Sequence, residues 1–356
     1  MNEPAPAQPV FEVIYWGATG TMAAPLLPAQ ATEKLVESVA RLIEQGALAG
    51  LAPGPRLRAA VAEIVERHLP FHLRSTYGGN TTCIEIQTPD GLIIFDCGSG
   101  LRELGHSLLE RWRLQGQTAR RSADILISHA HMDHTFGTPY FIPYYDGGCC
   151  FQIHALQSVI DSLTAVLSPD SALSRLYFPP TFSEMKSTIT SHSVLPGDDW
   201  WIGSTHILTY PLNHPGGALA FRIENSGRAI VLASDHEHLQ APDPDLAHFA
   251  RGADLLYMDG QYREAEYLGK AGIGSDPGFS RINWGHSPME SCVKTAVAAG
   301  AGLLHVGHRE PRRADAGTAA FEEDLRRLTA AELAARKSPG RACSAAVPYE
   351  GMRALI

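Results

Sequence analysis

His129, His131, Asp133 and His134 fall within six residues, in the run Ser128-His129-Ala130-His131-Met132-Asp133-His134. Imidazole binds zinc, iron and manganese well, and a carboxylate beside it adds a hard anionic ligand. The spacing H-x-H-x-D-H points two ligands one way and two another, which suits a pair of cations a few ångströms apart better than one. Two such ions can share a bridging hydroxide and clamp the attacking and leaving oxygens of a hydrolysis. The run follows the apolar stretch Ile125-Leu126-Ile127, so it opens the loop after a buried strand.

Four later segments supply what that cluster lacks, each at the end of a strand pattern, where loops carry chemistry. Asn213-His214-Pro215-Gly216-Gly217 has glycines that let backbone come close to a site. Ala233-Ser234-Asp235-His236 follows Ile230-Val231-Leu232 and offers a carboxylate able to bridge two cations. Trp284-Gly285-His286-Ser287 and His305-Val306-Gly307-His308 complete the set. Asp96 is expected to tie down the metal loop by hydrogen bonds rather than to bind. Gly98, Ser99 and Gly100 read as a tight strand-to-helix turn. His236, Glu237 and His238 are expected behind the ligands or at the surface, with Glu237 a candidate for orienting one. Tyr177, Phe178 and Phe182 either wall a substrate pocket or pack down their own loop.

The elements that must position these groups follow from periodicity. Strands are predicted over residues 11–16, 82–88, 92–96, 125–128, 151–154, 206–211, 218–224, 229–233, 255–258 and 303–306. Pro89-Asp90-Gly91 supplies a hairpin turn. Helices are predicted at 101–114, 156–167, 289–299 and 318–337, with residues 168–190 irregular. Between the first two strands, two helical patterns flank the breaker cluster Gly50-Leu51-Ala52-Pro53-Gly54-Pro55 and read as a helical hairpin at 31–70. Two groups of strands with helices between and after imply two sheets covered by helices.

A chain of 356 residues can bury a full core. No apolar run reaches membrane-spanning length, and the Pro- and Ala-rich start has no signal-peptide pattern, so a cytoplasmic location is expected. The six cysteines show no C-x-x-C pair and read as reduced thiols. A net charge of −9 disfavours broad nucleic-acid binding while leaving room for a local pocket that takes a small phosphate ester.

These motifs resemble the metallo-β-lactamase-fold superfamily, and within it the branch containing ribonuclease Z and related cyclic phosphodiesterases. The marks are Tyr77-Gly78-Gly79-Asn80-Thr81-Thr82, Phe95-Asp96-Cys97-Gly98-Ser99-Gly100, the H-x-H-x-D-H run, and Asn213-His214-Pro215, with Asp235 and His308 in order. The resemblance implies an α/β fold, an αββα sandwich of two facing mixed sheets. It implies one domain over residues 11–338, with the 31–70 insertion inside it and a flexible tail at 1–10. His129, His131 and His214 would hold one metal, Asp133, His134 and His308 the other, and Asp235 would bridge them. His308 is favoured over His305 because ribonuclease Z places its last ligand at a similar distance from its Gly-His-Ser motif, and here His308 follows His286 by 22 residues. His286 would be the general acid, supported by Asp259 where ribonuclease Z has a Glu. Asp133 and Asp235 would share in catalysis.

Two departures stand beside the resemblance. The last motif reads His308-Arg309-Glu310-Pro311 instead of His-His-Asp-Pro, and the 31–70 insertion has no ribonuclease Z counterpart. No tRNA-gripping arm is evident, which with the acidic charge argues against a large nucleic acid as substrate. The function implied is a dinuclear metal-dependent hydrolase, a phosphodiesterase for a small or cyclic diester. The alternatives are a lactone, thioester or β-lactam hydrolase on the same site and, behind these, a non-catalytic ligand-binding protein. Two divalent ions are expected, zinc first, with manganese or iron as alternatives. A homodimer is a further expectation.

Overall fold

The structure, a computed structural model, describes residues 10–116, 120–178, 180–336 and 340–356. Among the described residues fourteen strands run in chain order as β1 Glu12–Gly17, β2 Cys83–Thr88, β3 Gly91–Phe95, β4 Ser122–Leu126, β5 Cys150–Ala155, β6 Thr188–Ser193, β7 Asp199–Ile202, β8 Thr205–Leu212, β9 Ala218–Asn225, β10 Arg228–Ala233, β11 Leu255–Asp259, β12 Leu303–Gly307, β13 Ser344–Ala346 and β14 Arg353–Leu355. The helices are α1 Pro28–Glu44, α2 Leu57–His68, α3 Phe71–Arg74, α4 Gly100–Gln115, α5 Met132–Thr135, α6 Gln157–Leu167, α7 Ala172–Tyr177, α8 Pro244–Phe249, α9 Glu264–Tyr267, α10 Met289–Ala299 and α11 Asp315–Ala334.

One sheet has the order β14-β1-β2-β3-β4-β5-β6 and the other β13-β12-β11-β10-β9-β8-β7. Each contains three antiparallel pairings on one side and three parallel ones on the other. The sheets pack face to face. Tyr15, Ile84, Phe95 and Leu126 from the first meet Phe221, Ile230, Leu255 and Tyr257 from the second in one buried cluster. The outer face of the first sheet is covered by α4 and α6 through Leu104, Leu108, Val159 and Leu163. The outer face of the second is covered by α8, α10 and α11 through Leu246, Val293, Phe321 and Leu325. The expected αββα sandwich is therefore the fold.

Local chemistry sets the connections. The β2–β3 hairpin turns at Pro89-Asp90, where the Thr88 hydroxyl accepts from the backbone N–H of Asp90 and Gly91 at 3.1 Å each. Strands β9 and β10 are joined by Ser226 and Gly227, both left-handed at φ 50° and 75°, the backbone a two-residue hairpin needs. Helix α10 stops at Gly300, left-handed at φ 69°, where sequence placed its end.

Several expectations need correction. The region 168–190 holds a short helix, α7, and the start of β6; Ser171 caps α7 by accepting from the Leu173 N–H at 3.1 Å. The sheets also extend past the expected boundary at residue 338. β13 pairs with β12 and β14 with β1, and the Ile356 carbonyl accepts from the N–H groups of Val10 and Phe11 at 2.6 and 3.0 Å. Residue 10 is thus tied into the sheet; the rest of the expected flexible tail, residues 1–9, lies outside the described residues. Residues 31–70 hold two helices, α1, which starts earlier, at Pro28, and α2; the Ser38 hydroxyl of α1 reaches the Leu73 carbonyl of α3 at 3.5 Å. The periodic apolar face of α1 is mostly uncovered: the helix buries Leu42 and Ser38 but leaves Leu35, Val36, Val39 and Ile43 exposed. Among the described residues no helix is long and apolar enough to cross a membrane.

Candidate metal centre

The C-terminal ends of the parallel strands meet at one end of the sandwich, where open α/β sheets gather ligands. Asp96 follows β3, the His129–His134 loop follows β4, Asp235 follows β10, Asp259 ends β11 and His308 follows β12. His214 joins them from the end of β8. Asp96, Asp235 and His308 all hold left-handed backbone, at φ 59°, 46° and 52°. Non-glycine residues adopt that conformation at a cost and do so mainly at functional sites.

Asp96 organises the loop. Its buried carboxylate accepts from the Ser128 N–H at 2.7 Å, the Ser128 hydroxyl at 2.9 Å and the His134 Nδ1–H at 2.7 Å. Because Ser128 gives its only proton to Asp96, its oxygen accepts from His129 Nδ1–H at 3.0 Å. His214 Nδ1–H likewise donates to the Gly285 carbonyl at 2.9 Å. All three rings therefore turn Nε2 inward, and in the neutral ring that nitrogen is the unprotonated one a metal requires. Gly285 must be glycine, since a Cβ there would lie 2.3 Å from His214 Nδ1, and Gly20 for the same reason at 2.2 Å from His308 Nδ1.

Asp235 lies among these nitrogens. Its Oδ1 is 3.2 Å from His134 Nε2, and its Oδ2 is 3.3 Å from His308 Nε2, 3.6 Å from His129 Nε2 and 3.8 Å from His214 Nε2. Asp133 Oδ2 stands 3.1 Å from His308 Nε2 and 3.3 Å from His134 Nε2, and also accepts from the Thr21 N–H at 2.7 Å. His131 Nδ1 is 3.0 Å from His214 Nε2. The groups form two nests: His129, His131, His214 and Asp235 in one, Asp133, His134 and His308 in the other. His305 stands apart, inside β12, with Nδ1 2.6 Å from the Tyr15 hydroxyl.

Divalent cations fit this donor set. The Nε2 atoms of His129 and His134 are buried with no hydrogen-bond partner, an arrangement that costs free energy unless something electropositive faces them. Burial holds the pKa of His129, His131 and His214 below the usual imidazole range. Burial opposes charge on His134 and His308 too, but Asp235 and Asp133 outweigh it, raising both, His308 to about 9. Positive charge, as protons or as cations, is what the buried carboxylates of this pocket demand.

His286 sits beside both nests, with Nδ1 2.7 Å from Asp259 Oδ2 and 3.9 Å from Asp235 Oδ2. Asp259, Asp in place of Glu, reaches the ring directly. His286 also groups with Asp235 and His308 at ligand-like spacing.

Glu237, a candidate for orienting a ligand, acts through backbone. It is buried, its Oε2 accepts from the Gly285 N–H at 2.8 Å, and its Oε1 accepts from the Asn283 N–H at 2.6 Å and the Tyr267 hydroxyl at 2.5 Å. It therefore shapes the turn whose carbonyl orients His214 and which carries His286. His236 and His238 are buried as well: His236 Nδ1 accepts from the Asn213 N–H at 3.1 Å, and the His238 ring lies 2.6 Å from the Ser287 hydroxyl. No sequence signal could reveal these pairings, because the partners lie 23 to 49 residues away.

The profile described as a beta-lactamase superfamily domain matches residues 92–308. The chain belongs to this superfamily. Ribonuclease Z of a Synechococcus species is 27% identical over 291 residues, covering 76% of this chain and 87% of that one. Among solved structures, the metallo-β-lactamase fold protein YhfI of Bacillus subtilis aligns with a TM-score of 0.56 at 14% identity, covering 97% of this chain and 98% of the other. Human tRNase Z, short form, aligns with a TM-score of 0.53 at 14% identity, covering 97% and 99%. At that identity these two establish the shared fold. The chain is a hydrolase of the metallo-β-lactamase fold, a superfamily architecture built to take divalent metal.

Proposed function

We propose that the chain hydrolyses a phosphodiester, small or cyclic, at two divalent cations. His129, His131 and His214 would hold one, Asp133, His134 and His308 the other, with Asp235 shared between them. Zinc is the first choice of metal for this mixture of imidazole and carboxylate, ahead of manganese or iron. Bound there, the ions would supply positive charge against the phosphoryl oxygens and make a water molecule more acidic.

The observation that carries the diester reading is the Asp259–His286 pair at 2.7 Å beside the ligand nests. An alkoxide leaving group needs a proton, and this pair can provide it. Asp259 accepts from Nδ1–H and orients the ring, which makes Nε2 the atom that would pass a proton to the leaving oxygen. Asp133 and Asp235 keep negative charge at the nests. Glu237 and Gly285 hold the ring of His214 in place.

The test compares metal-loaded protein on bis(p-nitrophenyl) phosphate, an acyl lactone and a short RNA. Turnover of the diester with little on the lactone is expected. A good lactonase inert to the diester would sink the reading. The same chemistry on an RNA phosphodiester is the second reading, favoured by the relative named ribonuclease Z; the net charge of −9 weighs for a small substrate. The active unit spans both sheets, with α1 and α2 as an insertion. A cytoplasmic setting belongs to the same reading, supported by six unpaired cysteines. Pairing of two copies is supported by the exposed apolar face of α1, and sedimentation velocity measures it.

A further inference from the structure

We infer that a cleft beside the metal loop receives an apolar arm of the substrate, so that the preferred ligand joins an anionic phosphorus centre to an alkyl or aryl group. The phosphorus half rests on the phosphodiester reading; the apolar half rests on the cleft alone.

The loop that carries the ligands has two sides. His129, His131 and Asp133 belong to the nests, whereas Ala130 and Met132, which alternate with them, line a cleft of about 180 Å³. Phe136, Tyr140, Val166 and Tyr177 form much of the rest of its wall, and none of the described lining residues is charged. The wall is braced by ring contacts, Tyr140 to Phe178 at 4.9 Å and Phe136 to Tyr140 at 5.8 Å. An apolar cavity of roughly 150 Å³ holds a benzene ring, so this one is sized for a phenyl group or a chain of about six carbons.

Exposure of the rim points the same way. Tyr177 at the end of helix α7 is 62% exposed, and on the metal loop Met132 and Phe136 are 64% and 48% exposed. Phe182, from the same stretch of chain, packs instead against the core of the first sheet. Large apolar side chains left open around a groove next to a reaction centre lose contact with water when an apolar ligand covers them. By contrast, the cleft on the other side of Phe136 and Tyr140 includes Arg102 and Glu350 and is unsuited to an alkyl chain.

The experiment measures binding of methylphosphonate and hexylphosphonate to zinc-loaded protein by calorimetry, a readout independent of turnover. Hexylphosphonate is expected to bind at least tenfold tighter, since each buried methylene is worth up to roughly fourfold in affinity. Val166→Asp and the exposed Tyr177→Asp, each checked for native circular dichroism, should narrow that gap to about threefold or less. Equal affinity of the two phosphonates, a gap indifferent to both substitutions, or no binding of either at millimolar concentration would overturn the proposal. Turnover of bis(p-nitrophenyl) phosphate is assayed alongside. Its absence with the affinity gap intact counts against the phosphodiester reading and leaves the cleft assignment standing.

Discussion

Asp235 has two oxygens directed at different nitrogens, Oδ1 toward His134 and Oδ2 toward His129, His214 and His308. Among the described residues no other touches both nests in this way, so its loss should empty the site, whereas His286 stands at the margin and is proposed to serve the leaving group. Asp235→Ala should therefore lose most bound metal, read by elemental analysis. His286→Ala should keep its metal yet lose turnover by about 10² to 10⁴, the usual weight of a general acid. Equal metal loss in both would show His286 to be a ligand. A second residue-scale expectation concerns His305. Burial lowers its pKa to about 4, against about 6.5 in an unfolded chain. Between those values the unfolded state binds more protons, so stability is intact above pH 6.5 and falls as pH drops through the window. From pH 8 to 5 this one group should remove about 2 kcal/mol. Urea unfolding of His305→Gln should show a loss smaller by that amount; an unchanged pH dependence would mean that the ring is already charged in the fold.

At the level of elements, legibility followed burial. The runs Ile125-Leu126-Ile127, Ile230-Val231-Leu232 and Leu303-Leu304 announce strands buried on both faces, and the polar residues after them mark where chemistry collects. The four strands that periodicity missed, β6, β7, β13 and β14, are the four edges of the two sheets. Thr188–Ser193 is almost entirely polar, and Arg353–Leu355 buries only its middle residue, so neither writes an apolar pattern into the sequence. The ligand residues were readable because their type and spacing are local. For Glu237 a part in orienting a ligand was readable but its partners were not, because they are backbone groups 46 and 48 residues away. The missed C-terminal strands make a prediction. Ending the chain at residue 338 removes β13, β14 and Glu350, whose Oε1 accepts from the N–H groups of Gly79 and Asn80 at 2.7 and 2.6 Å. That truncation should lower the melting temperature by more than about 5 °C or prevent folding. A fragment that melts like the full chain would show the last strands to be dispensable.

For the molecule as a whole, the two sheets repeat one pairing scheme and place their parallel ends together, so the first half of the chain contributes His129 to His134 and the second contributes His214, Asp235 and His308. Neither half alone holds a complete nest of three protein ligands and the shared carboxylate, which couples metal affinity to docking of the sheets. Removing metal with a chelator should accordingly lower the melting temperature as well as activity; unchanged melting would mean that the sandwich is indifferent to its ions. Since the carbonyl of Ile356 accepts from Val10 and Phe11, a short peptide joining residue 356 to residue 10 would close the backbone into a ring. Reopening that ring in the exposed stretch between β6 and β7 would yield a circular permutant with its strand neighbours preserved and its chain order exchanged, a direct way to learn whether connectivity or contact pattern specifies this architecture.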